Sequence, residues 1–79
     1  MERTKILEKV ALACKEVFEY GGQIDETINL ITDLGCDSLK MLIFVNEIED
    51  SFSISLQLDE SKNMKTVGDV CDVVAKYIG

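Results

Sequence analysis

Apolar residues recur at helical spacing over residues 2–20, at Ile6, Leu7, Val10, Cys14, Val17 and Phe18, with Ala11 and Ala13 between them. This period predicts an amphipathic first helix. Gly21-Gly22 follows and is expected to stop it, since helices commonly end on glycine. Residues 23–36 carry no helical period, but Ile24, Ile28, Leu30, Ile31 and Leu34 are expected to dip into the core. A connection this long is expected to be packed or functional.

A second helix is expected from about Ser38 to Ser51, with Asp37 or Ser38 capping its start. Met41, Phe44, Val45, Ile48 and Phe52 form the stripe that faces the core. Leu39, Leu42 and Ile43 point elsewhere, with Asn46 continuing their direction. A second apolar patch on a helix of a short chain is hard to bury, and it reads as a surface for a partner. Residues 51–58 alternate strictly, as a strand does, but no second strand exists to pair with them. They read instead as an extended loop anchored by Phe52, Ile54 and Leu56. A short helical turn over 59–64, pinned by Met64, leads to a last helix capped by Thr66, whose buried face is Val67, Val70, Cys71, Val74 and Ile78. The fold class is therefore all-α: a small bundle of three principal helices and one short helix, with a long first loop.

Length and charge narrow what such a bundle can do. With 79 residues, 47% of them hydrophobic, the chain is read as a single domain, 1–79, with one modest core. It contains no histidine, which excludes Ser-His-Asp triads, histidine general bases and histidine-ligated metals. Cys14, Cys36 and Cys71 are too few and too far apart for a zinc knuckle, and an odd number argues against a disulfide framework. That points to a reducing compartment, the cytoplasm. Charged residues break up the first turns, so no membrane insertion is expected. The net charge of −7 is uneven: residues 1–20 are neutral, residues 21–60 hold nine acids against Lys40 alone, and residues 61–79 carry a net +1. Such a field repels nucleic acid and attracts basic protein partners to the middle of the chain, and equally serves solubility. A monomer is expected.

One stretch combines these cues. In Leu34-Gly35-Cys36-Asp37-Ser38-Leu39, Gly35 permits a tight approach, Asp37 can cap, and Ser38 stands at a helix N-terminus. Free backbone N–H groups and the positive end of the helix dipole make that place hospitable to phosphate. By itself, an Asp-Ser pair before a helix is more often only a cap. The stretch also resembles the attachment motif of phosphopantetheine carrier proteins, the acyl carrier proteins: leucine, glycine, a variable residue, Asp, Ser, then Leu or Ile. The resemblance continues in Leu30 and Leu34, in Phe52, and in Lys65-Thr66-Val67-Gly68-Asp69-Val70 at the start of the last helix.

The resemblance implies that a phosphopantetheinyl transferase uses coenzyme A and Mg²⁺ to attach 4′-phosphopantetheine to Ser38. The arm's thiol then presents an acyl thioester to acyl-loading and acyl-processing enzymes with basic patches. The chain would be a carrier rather than an enzyme. Asp37 and Leu39 would help the transferase recognise the serine. Leu39, Lys40, Leu42, Ile43, Asn46, Glu47, Glu49 and Asp50 would face partners. At Lys40 and Ile43 the chain departs from fatty-acid-synthesis carriers, which place acids there, and this leaves polyketide or other dedicated pathways open. An aminoacyl or peptidyl carrier shares the Gly-x-Asp-Ser-Leu core and is the nearest alternative. A helical interaction module using the Leu39, Leu42 and Ile43 patch is an alternative of another class. Cys36, two residues before Ser38, could be exposed, and a redox or catalytic role for it is not expected, since the variable position of the motif tolerates many residues. Cys14 and Cys71 are expected in the core, as are Met41 and Phe44.

Overall fold

The computed structural model describes all residues, Met1–Gly79. Three α-helices, α1 (Arg3–Phe18), α2 (Ser38–Phe52) and α3 (Val67–Ile78), are joined by a long first loop and by a connection containing a 3₁₀ helix, Leu58–Asn63. No strand forms. Residues 54–57 run without regular structure, with Ile54 and Leu56 half-buried, because nothing lies alongside to pair with them. No helix is long and apolar enough to cross a membrane.

Each helix forms because one face has somewhere to go. On α1, Ile6, Val10, Ala13, Cys14 and Phe18 are buried, and α2 and α3 both pack against this helix. Its end differs from expectation. The helix stops at Glu19 in the left-handed conformation, φ 53°, rather than at Gly21-Gly22. A left-handed non-glycine residue costs about 1–2 kcal/mol, which burial of the flanking Phe18 and half-burial of Tyr20 offset. A Cβ at Gly22 would lie 2.8 Å from the tip of the Tyr20 side chain, which would have to swing aside.

The buried residues of α2 are Phe44, Ile48 and Phe52. The Phe44 ring meets that of Phe18 with centroids 5.5 Å apart. Met41 and Val45, expected in the core, are only half-buried, because the polypeptide that would cover them stands away and leaves a groove. The helix ends with Ser53 in the left-handed conformation, its N–H donating to the Glu49 carbonyl.

A capping box starts α3. The Asp69 N–H donates to Thr66 Oγ1 at 3.1 Å, and the Thr66 N–H donates to Asp69 Oδ2 at 3.1 Å. Val67, Val70, Cys71, Val73 and Val74 are buried on this helix, while Ile78 is half-buried where the helix runs out. Burial in apolar surroundings pushes the Cys14 thiol up to about 12 and Cys71 to about 11, so both behave as small core residues.

Polar ties hold the loops to this core. Arg3 donates from Nη2 and Nε to Glu26 at 2.7 and 3.1 Å, from Nη1 to Asp72 at 2.7 Å, and from Nη2 to the Gly68 carbonyl at 3.2 Å. It thus joins the start of α1 to the first loop and to α3. The 3₁₀ helix is held by Glu60, the one buried charged residue. Glu60 Oε2 accepts from Tyr77 Oη at 2.7 Å and pairs with Lys76 Nζ at 2.8 Å. Tyr77 Oη in turn accepts from the Gln57 N–H at 3.3 Å.

Lys76 foremost, then Tyr77, holds the Glu60 carboxyl below its ordinary range. A lowered folded-state pKa contributes stability above the unfolded-state value, and that contribution is lost as pH falls through the folded value. Glu60→Gln is therefore expected to lower the urea midpoint at neutral pH. The gap from the native protein should close as pH falls below the ordinary carboxylate range, through the lowered folded-state value. An undiminished gap in acid would show that the charge of Glu60 is not what stabilises the contact.

Candidate functional site

The ten residues before α2 are locked by their own polar groups. Asn29 Oδ1 accepts from the N–H groups of Ile31 and Thr32, each at 2.9 Å, and Asp33 Oδ2 accepts from the Asn29 N–H at 2.8 Å. The turn is fastened to the chain before α3, with the Leu30 N–H donating to the Lys65 carbonyl at 2.9 Å. Leu30 and Leu34 are buried beneath it, as expected. Ile31 is not: it is 59% exposed, because the turn that buries Leu30 and Leu34 points the residue between them outward. Gly35 then reverses the chain with φ 71°, a conformation other residues resist. The Cys36 N–H donates to the Leu30 carbonyl at 2.9 Å and closes the turn.

Helix α2 begins at once. Asp37 is its N-cap, with Oδ1 accepting from the Lys40 N–H at 2.8 Å, and the Met41 N–H donates to the Asp37 carbonyl at 2.8 Å. Of the two residues that could cap, Asp37 does so. Ser38 is the first helical residue; it is exposed, and its hydroxyl makes no hydrogen bond within the protein. The backbone N–H groups of Ser38 and Leu39 find no backbone acceptor. A free hydroxyl beside two free amides at the positive end of a 15-residue helix suits a phosphodiester.

The cap invites a direct check. Asp37→Ala is expected to cost about 1 kcal/mol in urea unfolding, the usual worth of an N-cap. Asp37→Asn, which keeps an acceptor oxygen, should recover most of it. Equal losses for the two variants would assign the effect to charge rather than to capping.

The surface of α2 divides into two stripes. Leu39 (67% exposed), Ile43 (49%), Asn46 and Asp50 line one. Ser38, Met41, Leu42, Val45, Asn46 and Glu49 follow the other along an open groove of about 700 Å³, whose far wall is the segment carrying Leu56, Leu58 and Glu60. Asn46 borders both. Lys40 and Glu47 are half-buried to the side. Glu49, expected to face partners, is half-buried, and its Oε2 accepts from the Leu56 N–H at 2.7 Å.

Cys36 also lines the groove but is buried, not surface-exposed, since the Gly35 turn directs it inward. Its thiol is pushed up by burial and then by Asp37, which disfavours the reactive thiolate. The groove residues Ile31, Leu56 and Leu58 lay outside every motif. Leu58, 97% exposed, carries the one sequence hint, an apolar residue closing the alternation of 51–58.

A helical scaffold that holds one serine free at a helix N-terminus, beside a groove, defines an attachment platform. Residues 8–74 match the family model described as a phosphopantetheine attachment site, and the chain belongs to that family. The acyl carrier protein of Lactobacillus acidophilus is 30% identical over 80 residues, covering 100% of both chains. That of Exiguobacterium sibiricum is 45% identical over 46 residues, which span 58% of each chain. A solved structure from Mycobacterium tuberculosis, described as a candidate acyl carrier protein, superimposes with a TM-score of 0.83 at 34% identity, covering 90% of this chain and 96% of that one.

Proposed function

We propose that this chain is an acyl carrier whose Ser38 hydroxyl is the attachment point of 4′-phosphopantetheine. The observation that carries the assignment is the free, exposed hydroxyl of Ser38 beside two unpaired backbone amides at the start of α2. When bound, phosphopantetheine supplies a thiol that holds an acyl group as a thioester.

The chain's own contribution is to present and to hold. In attachment, Ser38 Oγ forms a bond to the pantetheine-side phosphorus of coenzyme A. The bond from that phosphorus to the bridging oxygen breaks and adenosine 3′,5′-bisphosphate leaves. The hydroxyl proton passes to a general base of the transferase. Asp37 keeps the first turn of α2 wound, so the amides of Ser38 and Leu39 stay aimed outward at the new phosphodiester. Asp37 and Leu39, flanking the serine and exposed, are where the transferase gains its hold.

Enzymes that load and process the cargo dock on the exposed stripe of α2. The apolar Leu39, Leu42 and Ile43 lie next to Ser38, and Asp50 lies near the other end of the helix, with Glu47 beside it. Lys40 in the first turns calls for an acidic or neutral counterpart, so these partners carry fewer basic residues at that point than those of fatty-acid-synthesis carriers. Three free cysteines fit work in a reducing compartment, the cytoplasm.

Incubation with coenzyme A, Mg²⁺ and a broad-specificity phosphopantetheinyl transferase, followed by intact mass and peptide mapping, tests the assignment. A gain of one phosphopantetheine on the peptide containing Ser38 is the expected result. No gain with several transferases, on folded and unmodified protein, would overturn it.

A further inference from the structure

The groove beside Ser38 changes character along its length. On α2 its floor runs Ser38, Met41, Leu42, Val45, Asn46, Glu49, at helical spacing. Ser38 and Glu49 are about 16 Å apart along the axis at about 1.5 Å per residue. The floor is apolar through Val45 and polar from Asn46 onward. Along its rim, Ile31, Leu42 and Leu58 leave large apolar surfaces uncovered, at 59, 63 and 97% exposure. At the far end the Leu56 N–H fixes the Glu49 carboxylate through Oε2, while Oε1 has no partner in the chain. The Asn46 side chain makes no hydrogen bond within the chain either, and it is exposed. Glu60, which also borders the groove, is already satisfied by Lys76, Tyr77 and Asn63 and has nothing further to offer.

Resting on the attachment of phosphopantetheine to Ser38, we propose that the groove selects a short acyl group carrying a hydroxyl or amino group, not a plain hydrocarbon chain. An arm laid along the groove from Ser38 brings its thioester toward Asn46 and Glu49. Hydrocarbon placed there strips water from a carboxylate oxygen and an amide and returns no hydrogen bond. A hydroxyl or ammonium donates to Glu49 Oε1, whose orientation the chain has already set. The sign also disfavours an acidic cargo: the half-buried carboxylate of Glu49 is held at the floor, while Lys62 is exposed at the rim and stays solvated.

The test loads the full chain from coenzyme A thioesters of butanoyl, 3-hydroxybutanoyl, 3-aminobutanoyl and glutaryl groups. Intact mass first reports whether loading occurred. Cleavage by hydroxylamine is then timed, and each rate is divided by that of the same thioester on coenzyme A, which removes intrinsic reactivity. The hydroxyl- and amino-bearing groups are expected to be cleaved about tenfold more slowly than butanoyl on this scale, the effect of one hydrogen bond to a charged group. In Asn46→Leu with Glu49→Gln, checked for folding by its urea midpoint, that advantage should vanish. Failure to load at all overturns the attachment at Ser38 and this inference with it. Successful loading followed by equal or better protection of butanoyl or glutaryl overturns the cargo inference alone. So does an advantage that survives in the double variant.

Discussion

Ser38→Ala is expected to abolish phosphopantetheine attachment and thioester loading while leaving the fold essentially unchanged. The two halves of this result have separate physical causes. Attachment fails because alanine has no oxygen to bond to phosphorus, and no neighbouring hydroxyl lies in the first turn of α2 to replace it. Stability survives because the Ser38 hydroxyl has no partner inside the protein, and Asp37 rather than Ser38 caps the helix. Alanine is also a good helix former at an exposed position. The change in unfolding free energy should stay within about 0.5 kcal/mol, the usual range for surface substitutions that remove no specific contact. Intact mass and a urea melt on the same preparation read both halves. A variant that still gains phosphopantetheine would move the site elsewhere. A variant that keeps full cellular function without loading would favour an interaction module working through Leu39, Leu42 and Ile43.

Phe44→Ala is the substitution expected to cost the fold most. Phe44 is the largest fully buried side chain, and its ring stacks at an angle against Phe18 where α1 and α2 meet. Removing it deletes the transfer free energy of a whole ring and leaves a hole that two short helices can close only in part. Losses of this kind run to about 3–5 kcal/mol, against a total of about 5–15 kcal/mol for a small domain. Chemical denaturation should show a large fall in midpoint. The thermal transition should drop by tens of degrees, at roughly 4–8 °C per kcal/mol for a domain of this size. A loss below about 1.5 kcal/mol would mean that the core around Phe44 collapses freely and that the α1–α2 contact is not what holds the bundle. Phe44→Leu, which refills most of the volume, should lose much less.

Ser38 and Phe44 lie less than two turns apart on α2, and both were legible in the chain alone. The start of α2 was readable because capping chemistry is local, and Ser38 stood out there because the stretch Leu34–Leu39 resembles the carrier attachment motif. The last helix was readable for the same reason, since Thr66 and Asp69 complete their capping box within four residues. Phe44, Ile48 and Phe52 were readable as core through their spacing on one face. The end of α1 was misplaced because Gly21-Gly22 is a strong local signal for a helix stop, while the actual stop at Glu19 depends on burying Phe18 and Tyr20 against the rest of the bundle. The exposure of Cys36 was open in the sequence, because it neighbours an exposed serine. Only the φ of 71° at Gly35 and the bond from the Cys36 N–H to the Leu30 carbonyl turn it inward.

The sequence by itself determined the helical class, the place where α2 starts, and most of the buried face of each helix. All of these follow from interactions between residues a few positions apart. The groove was decided only by the tertiary structure. Met41 and Val45 carry the same spacing as true core residues, yet they stay half-open because the chain after Leu56, bonded to α2 only at its start through Glu49, is tethered to α3 by Glu60, Tyr77 and Lys76 across the groove. Periodicity reports which side of a helix is apolar. What covers that side depends on where a distant segment is tethered, and that is set by contacts between residues far apart in the chain.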